Sequence, residues 1–253
     1  MKQQTISIPT EDGLCPAYTF EPHRPGQWPG VVMFMDGIGI RPALFEIAER
    51  LADGGYFVLL PDLYYRSGFS AAEGARLFRD PVVTADWKQR VVPTVSAANI
   101  MRDMKAFIAF LHSQAAVREG KIGTTGYCLG GRLSLTAAGH FANTVAAAAS
   151  YHGGQLATDA PDSPHRLAPA MKARVYVAGA IEDSGFDDAQ KQRLEEALTA
   201  ARVDHRIETY NARHGWVPSD TPVHDPAATE RHWQTLFELF DETLKSDRAE
   251  SMS

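Results

Sequence analysis

Short, mostly apolar segments alternate with longer amphipathic segments along the chain, and this alternation constrains its fold most strongly. Six segments are typical of strands buried inside a sheet: residues 31–35, 56–60, 121–125, 145–150, 174–178 and 206–210. Between several of them, apolar residues recur at helical spacing, after possible N-caps at Ser96, Asp187 and Asp225. The pattern predicts an α/β fold, with a doubly wound, mostly parallel sheet and helices on both faces. Two N-terminal segments, 3–8 and 15–20, predict an antiparallel edge.

The composition is that of a globular protein and argues against several classes of function. The 253 residues are 44% hydrophobic and 22% charged, which predicts one domain over residues 1–253. A net charge of −6 without a Lys/Arg cluster argues against nucleic-acid binding. The apolar runs are too short to span a membrane and the N-terminus lacks a secretory h-region, so we expect a cytoplasmic protein. Nothing in the sequence indicates an oligomeric state.

One segment, residues 62–96, is too long for a simple strand-to-helix connection. It leaves the predicted sheet at the edge where α/β folds bind ligands, so we expect a wall or lid of a site. The alternative is a solvated excursion with a small helix of its own, whose aromatic residues only pack against the sheet. Candidate substrate contacts in this segment are the aromatic residues Tyr64, Tyr65, Phe69 and Trp87 and the cations Arg66, Lys88 and Arg90.

The strongest local motif is Gly126-Tyr127-Cys128-Leu129-Gly130-Gly131. It follows a predicted strand and opens a helical segment, as does the G-x-nucleophile-x-G elbow, with Cys in place of the commoner Ser. Such a turn holds the nucleophile in a strained backbone conformation, with no room for side chains two residues away on either side. It places the sulfur at a helix N-terminus, which favours the thiolate, and directs the Leu129 N–H toward a developing oxyanion. The alternative is a buried structural cysteine.

An acid and a histidine follow later strands in the order nucleophile, acid, histidine that α/β-hydrolases share. Glu182 and Asp183 follow the fifth predicted core strand, and His214 follows the sixth. His214 can take the thiol proton, and the acid can fix the histidine tautomer. Asp183 is the preferred acid and Glu182 the alternative, since spacing does not separate neighbours. His152, at another strand end, is the rival base, but it lacks this order and the Gly-aromatic turn that follows His214.

The loop after the first core strand, Asp36-Gly37-Ile38-Gly39, completes the predicted site. This loop usually supplies the second oxyanion N–H, and we nominate that of Gly37. Asp36 would lie near the nucleophile, where it could accept a hydrogen bond from the thiol or from neighbouring backbone. The loop lacks the third glycine and the lysine of phosphate-binding motifs, which argues against a nucleotide cofactor. No His, Cys and carboxylate residues have the spacing of a zinc site, so we expect neither a metal nor a cofactor.

These motifs resemble the dienelactone hydrolase family of α/β-hydrolases over about residues 5 to 243. The resemblance rests on MDGIGIRPAL after the first core strand, GGYFVLLPDLYYRSG at 54–68, GYCLGGR at 126–132, GAIED at 179–183 and RHGW at 213–216. It implies a triad of Cys128, Asp183 and His214, with oxyanion donors at Gly37 and Leu129. It also implies hydrolysis of small-molecule esters or lactones through an acyl-thiol intermediate, without a cofactor. Trp216 in the last motif is a further candidate substrate contact.

Two positions depart from the family pattern. Asp36 stands where well-studied members have Glu, and Pro218 stands where they have an Arg that helps to hold a substrate carboxylate. The sequence therefore predicts a preference for uncharged esters or lactones, unless Arg66, Lys88 or Arg90 supplies the missing cation. Two alternative functions are a non-catalytic or redox-sensing thiol on a hydrolase scaffold and a thioesterase using the same residues.

Overall fold

The computed structural model describes residues 2–245 and contains an eight-stranded sheet. The strands are β1 (Lys2–Thr10), β2 (Gly13–Glu21), β3 (Gly30–Phe34), β4 (Phe57–Pro61), β5 (Ile122–Tyr127), β6 (Val145–Tyr151), β7 (Arg174–Gly179) and β8 (His205–Thr209). The α-helices are α1 (Pro42–Asp53), α2 (Ala71–Gly74), α3 (Pro81–Asp86), α4 (Ala97–Ser113), α5 (Leu129–His140), α6 (Asp188–Ala200) and α7 (Pro226–Phe240). Shorter π or 3₁₀ turns cover Trp87–Val91, Val92–Val95, Pro164–Ala170 and Asp241–Lys245.

The strand order is β1-β2-β4-β3-β5-β6-β7-β8, and all neighbours from β4 to β8 are parallel. From β3 the chain first moves to β4 on one side, and from β4 it then crosses back past β3 to β5 on the other side. Because parallel crossovers are right-handed, these opposite steps put α1 and α4 on opposite faces of the sheet. The predicted mostly parallel α/β fold is confirmed, as is the antiparallel edge, where β1 pairs with β2 and β2 with β4.

Helix starts follow the predicted caps. The side chains of Ser96, Asp187 and Asp225 each accept a hydrogen bond from the backbone N–H three residues later. At α6 only the Asp187 side chain caps the helix, because the Gln190 side chain donates to the carbonyl of Gly185 instead of to the backbone of the cap residue. This amide ties the loop after β7 to the start of α6.

The segment at residues 62–96 packs against the loop that follows β3. A Cβ on Gly74 would lie 2.0 Å from the Ile38 carbonyl oxygen, so only glycine permits this approach. The Tyr64 hydroxyl donates to the Gly37 carbonyl at 2.7 Å and accepts from the Trp87 indole at 2.9 Å. These contacts make the segment a wall beside the β3 loop, whereas opening and closing as a lid stays a prediction.

Arg66 joins the segment to the rest of the fold. Its guanidinium donates to both carboxylate oxygens of Asp103, each at 2.7 Å, and also to Asp12. Asp103 is only 1% exposed, and Tyr65 donates a further hydrogen bond to it. Both Tyr65 and Arg66, which the sequence suggested as substrate contacts, are therefore committed to a structural network between the segment, α4 and the β1–β2 turn.

We expect replacement of Arg66 by Met to lower the free energy of unfolding by about 3–5 kcal/mol, because it leaves the buried Asp103 carboxylate without its cation. Urea unfolding followed by circular dichroism measures the loss. The matched control is Arg102→Met, since Arg102 also binds Asp12 but is solvent-exposed. The control should lose no more than about 1 kcal/mol, and equal losses in the two variants would contradict the assignment.

Candidate active site

A cavity of about 790 Å³ opens at the carboxyl edge of the parallel strands. Its wall comes from the loops after β3, β5, β6, β7 and β8 and from the segment at 62–96. The lining residues are Asp36, Gly37, Ile38, Arg41, Gly74, Ala75, Leu77, Phe78, Arg79, Trp87, Cys128, His152, Asp183, His214, Gly215, Asp220, Thr221, Pro222 and Val223. The cavity lies where the strand order reverses between β3 and β5, which is the usual ligand site of doubly wound sheets.

Cys128 occupies the turn between β5 and α5. Its φ of 53° and ψ of −114° are strained for a residue with a side chain, as expected for a nucleophile elbow. A Cβ on Gly126 would lie 2.1 Å from the Gly130 carbonyl oxygen, and a Cβ on Gly130 would lie 2.4 Å from that of Phe34. The two glycines thus allow α5 to start directly against β3 and β5, with the Cys128 side chain facing the cavity.

His214 and Asp183 meet at the ends of neighbouring strands. His214 Nδ1 lies 2.8 Å from Asp183 Oδ2, and Asp183 Oδ1 accepts the Gly185 N–H at 2.8 Å. Burial alone would lower the pKa of His214, but hydrogen bonds with Asp183 and Cys128 outweigh it and raise the pKa to about 10. Burial would likewise raise the pKa of Asp183, and the hydrogen bond with His214 reverses this and lowers it. The hydrogen bonds and the raised pKa therefore both favour the protonated form of His214.

Glu182 points elsewhere. Its side chain is exposed, and its nearest ionic partner is Arg213, at 4.0 Å. The residue also has a φ of 53°, which turns the chain so that only Asp183 of the pair faces His214.

His152 lies directly behind Cys128 and is 1% exposed. Its Nδ1 accepts the Cys128 backbone N–H at 3.1 Å, so the proton of the neutral ring lies on Nε2. Burial, with the nearby His214, lowers the pKa of His152 well below its ordinary value. The Trp216 ring packs edge-on beneath His152 at 4.8 Å between centroids. His152 thus supports the elbow backbone, and Trp216 supports His152 from outside the cavity lining.

The N–H groups nominated for an oxyanion follow two adjacent strands, Gly37 in the loop after β3 and Leu129 at the start of α5 after β5. Phe34 at the end of β3 pairs with Gly126 at the end of β5, which brings the loop of Gly37 beside the start of α5. Neither the Gly37 nor the Leu129 N–H donates to another group within residues 2–245. The Asp36 carboxylate shapes this loop by accepting the N–H groups of Ile38 and Gly39, at 3.0 and 3.3 Å.

Arg41 lines the cavity although the sequence analysis did not nominate it. Its guanidinium binds both oxygens of Asp36, at 2.8 and 2.9 Å, and both oxygens of Asp220, at 2.7 and 3.1 Å. The cation paired with Asp36 thus comes from the start of α1 and not from the position of Pro218. The sequence could have indicated the pairing with Asp36, because Arg41 follows this carboxylate by five residues. It could not have indicated the pairing with Asp220, which lies 179 positions away.

Of the other predicted substrate contacts, only Trp87 lines the cavity. Tyr64 and Phe69 are buried behind it, packed edge to face at 5.3 Å. Lys88 and Arg90 are exposed outside the lining, because the turn at 87–91 directs Trp87 inward, and Arg90 binds Asp86, Glu73 and the Ser67 carbonyl. Phe78 and Arg79, which the sequence analysis did not select, line the cavity; Phe78 is 64% exposed with a φ of 70°.

Within residues 2–245, no group of three or more His, Cys, Asp or Glu side chains is arranged to hold a metal ion. None of the helices in this described range combines the length and apolarity that crossing a membrane would require.

Comparisons with known proteins agree with this architecture. A "Putative carboxymethylenebutenolidase" of Synechocystis sp. is 27% identical over 97% of this chain and 98% of its own length. The carboxymethylenebutenolidase of Rhodococcus opacus is 26% identical over 85% of this chain and 81% of its own. The crystal structure of a "Putative Dienelactone Hydrolase" from Klebsiella pneumoniae superposes with a TM-score of 0.83 at 22% identity, covering 94% of this chain and 98% of that one.

The model of the dienelactone hydrolase family matches residues 15–244. This range contains the elbow, the cavity loops and every parallel strand of the sheet. The chain therefore belongs to the dienelactone hydrolase family and is a hydrolase of that kind.

Proposed function

We propose that this protein hydrolyses ester or lactone bonds of a small molecule by nucleophilic catalysis at Cys128, with His214 as acid and base and Asp183 as the residue that orients it. The observation that carries the proposal is the hydrogen bond between Asp183 and His214 at the cavity lined by Cys128. The three side chains arrive on separate loops and share one wall, as a nucleophile, a base and an orienting acid must. The reaction needs no cofactor.

In the first half of the reaction the Cys128 sulfur attacks the ester carbonyl carbon. His214 starts this step as an imidazolium, which its raised pKa supports, and Cys128 attacks as the thiolate, the nucleophilic form of a cysteine side chain. The tetrahedral intermediate collapses as its C–O bond breaks, and the imidazolium Nε2 proton passes to the departing alcohol oxygen. An acyl-thiol intermediate and a neutral His214 remain.

In the second half His214 accepts a proton from water, and the resulting hydroxide oxygen attacks the thioester carbonyl. The C–S bond breaks, the carboxylic acid leaves and the thiolate–imidazolium pair is restored. In both halves the carbonyl oxygen carries negative charge between the Gly37 and Leu129 N–H groups. A donor of this kind contributes about 3 kcal/mol to transition-state stabilisation. Among the described residues neither N–H has a competing acceptor, which supports the role.

The redox-sensing alternative has less support. Cys15 lies on β2, fully buried, and β4 and β3 separate that strand from β5. Three strand spacings amount to roughly 14 Å, whereas a disulfide requires Cα atoms within about 7 Å. Cys15 is therefore poorly placed to resolve an oxidised Cys128.

A screen of p-nitrophenyl esters and small lactones tests the proposed reaction. The wild-type protein should hydrolyse short esters, and Cys128→Ala should reduce kcat by at least a thousandfold at unchanged fold. A parallel series of acyl thioesters distinguishes ester hydrolysis from the thioesterase alternative, which predicts a higher kcat/KM for thioesters than for matched oxygen esters. Equal activity of wild type and Cys128→Ala on every ester would contradict the proposal.

Alkylation tests the state of the nucleophile. Iodoacetamide should modify Cys128 far faster than Cys15, because burial raises the pKa of the Cys15 thiol well above its usual range and no water reaches it. Peptide mass spectrometry gives both rates, and loss of esterase activity should follow the Cys128 rate. Activity that persists after complete modification of Cys128 would rule out the nucleophile assignment.

Asp183→Asn should lower kcat by orders of magnitude and also lower the pKa of His214, because the imidazolium loses its anionic partner. Steady-state kinetics measure kcat of the variant, and an NMR titration measures the pKa of His214. Glu182→Gln is the matched control and should change neither quantity appreciably, since Glu182 does not touch His214. The reverse ranking would make Glu182 the acid.

The same titration predicts how stability depends on pH. The pKa of His214 is higher in the folded state, about 10, than its ordinary value of 6.5. The folded state therefore binds this proton more tightly, and the resulting stabilisation is complete below about pH 6.5 and declines as pH rises toward 10. Asp183→Asn should flatten this alkaline decline.

A further inference from the structure

Arg41 has no free hydrogen-bond donor. Its Nη1 donates to Asp36 and to the Gly39 carbonyl, Nη2 donates to Asp36 and Asp220, and Nε donates to Asp220. These five bonds use all five N–H groups of a guanidinium. The side chain is 9% exposed, and it lines the cavity together with both of its carboxylate partners.

The two carboxylates differ in how firmly they are held. Asp36 is 4% exposed and also accepts two backbone N–H groups of its own loop. The Asp220 side chain is 45% exposed, and Arg41 is the partner of its carboxylate. Asp36 is therefore a fixed part of the loop, whereas Asp220 occupies a face of the guanidinium that an external carboxylate could also bind in the bidentate manner.

Within residues 2–245, no other Arg or Lys side chain around the cavity is placed to take over this role. The predicted candidates Arg66, Lys88 and Arg90 lie outside the lining. Arg79 is in the lining and has no ion-pair partner within residues 2–245, but it is solvent-exposed. An exposed ion pair contributes little, because water and salt screen it, whereas a largely buried guanidinium discriminates strongly.

We propose that Asp220 determines substrate specificity by occupying the carboxylate-binding face of Arg41. The cluster of Asp36, Arg41 and Asp220 then carries two carboxylates around one guanidinium, a net negative charge, and the cavity selects uncharged acyl groups over acyl groups that carry a carboxylate. This inference rests on the proposed ester hydrolysis and names its substrate class. Asp220 acts on selection and not on the bond-breaking steps, since within residues 2–245 its carboxylate bonds to Arg41 and to neither Cys128 nor His214.

A matched pair of substrates tests the proposal kinetically. The pair is 4-nitrophenyl hydrogen succinate and its methyl ester, which differ in the charge of the acyl group. Wild type should prefer the methyl ester by tenfold or more in kcat/KM. Asp220→Ala should move the ratio of the two kcat/KM values toward the acid by about tenfold to a hundredfold, the worth of a charge-assisted hydrogen bond at a vacated site.

Three variants separate this role from a general effect of charge or folding. Asp220→Glu keeps the carboxylate and should keep the wild-type ratio, whereas Asp220→Asn removes only the charge and should give an intermediate ratio. Asp159→Ala removes an exposed carboxylate that pairs with Arg193 outside the cavity, and it should leave the ratio unchanged. A wild-type preference for the acid, or the same ratio in wild type and Asp220→Ala, would overturn the proposal.

Binding of benzoate provides a readout that does not depend on hydrolysis. Calorimetry on Cys128→Ala and on Cys128→Ala/Asp220→Ala should show at least tenfold tighter benzoate binding in the double variant, with benzamide binding unchanged. If no ester or lactone of the screen is hydrolysed but benzoate binding tightens in this way, the proposed reaction fails while the assignment of Asp220 stands. If hydrolysis occurs but benzoate binding does not change, the assignment of Asp220 fails alone.

Discussion

The close approach of α5 to the strands beneath it is the constraint on which the rest of the site depends. Gly126 and Gly130 bring backbone atoms together at distances that no side chain would permit. This contact fixes the elbow, and the elbow forces the left-handed conformation of Cys128. The packing of the surrounding sheet stabilises that conformation. The Cys128 N–H donates to the Tyr151 carbonyl and also to the His152 ring, which gives it a second acceptor.

The position of the remaining groups follows from the parallel sheet. The ends of β3, β5, β7 and β8 lie at one edge, so loops that are distant in sequence meet there. The Asp183–His214 pair needs only neighbouring strand ends, and the Gly37 loop needs only the β3–β5 pairing. The segment at 62–96 adds an apolar wall on the open side and holds the Gly37 carbonyl through Tyr64.

The sequence predicted the features that depend on local rules. Buried strands, helix caps and the glycine elbow all have periods or spacings that a single chain displays. It did not predict the Arg41 partnership or the inward face of the 62–96 segment. The first joins loops that only the folded sheet brings together, and the second depends on short π and 3₁₀ turns, which carry no period of their own. Arg66 and Tyr65 were selected from the composition of this segment alone. Their partners lie on α4 and the β1–β2 turn, so they serve the fold and not the cavity.

The link between Arg41 and Asp220 also bears on how the substrate preference of this chain could change. The acyl preference proposed for it depends on one exposed loop residue that, within residues 2–245, hydrogen-bonds to Arg41 and not to the elbow or the Asp183–His214 pair. A substitution there would alter which molecules enter without disturbing the sheet, since surface-loop replacements typically change stability by little. The guanidinium that would receive a new anionic substrate is already in place and held by Asp36. Exchange of one substrate class for another is thus a single evolutionary step from this sequence.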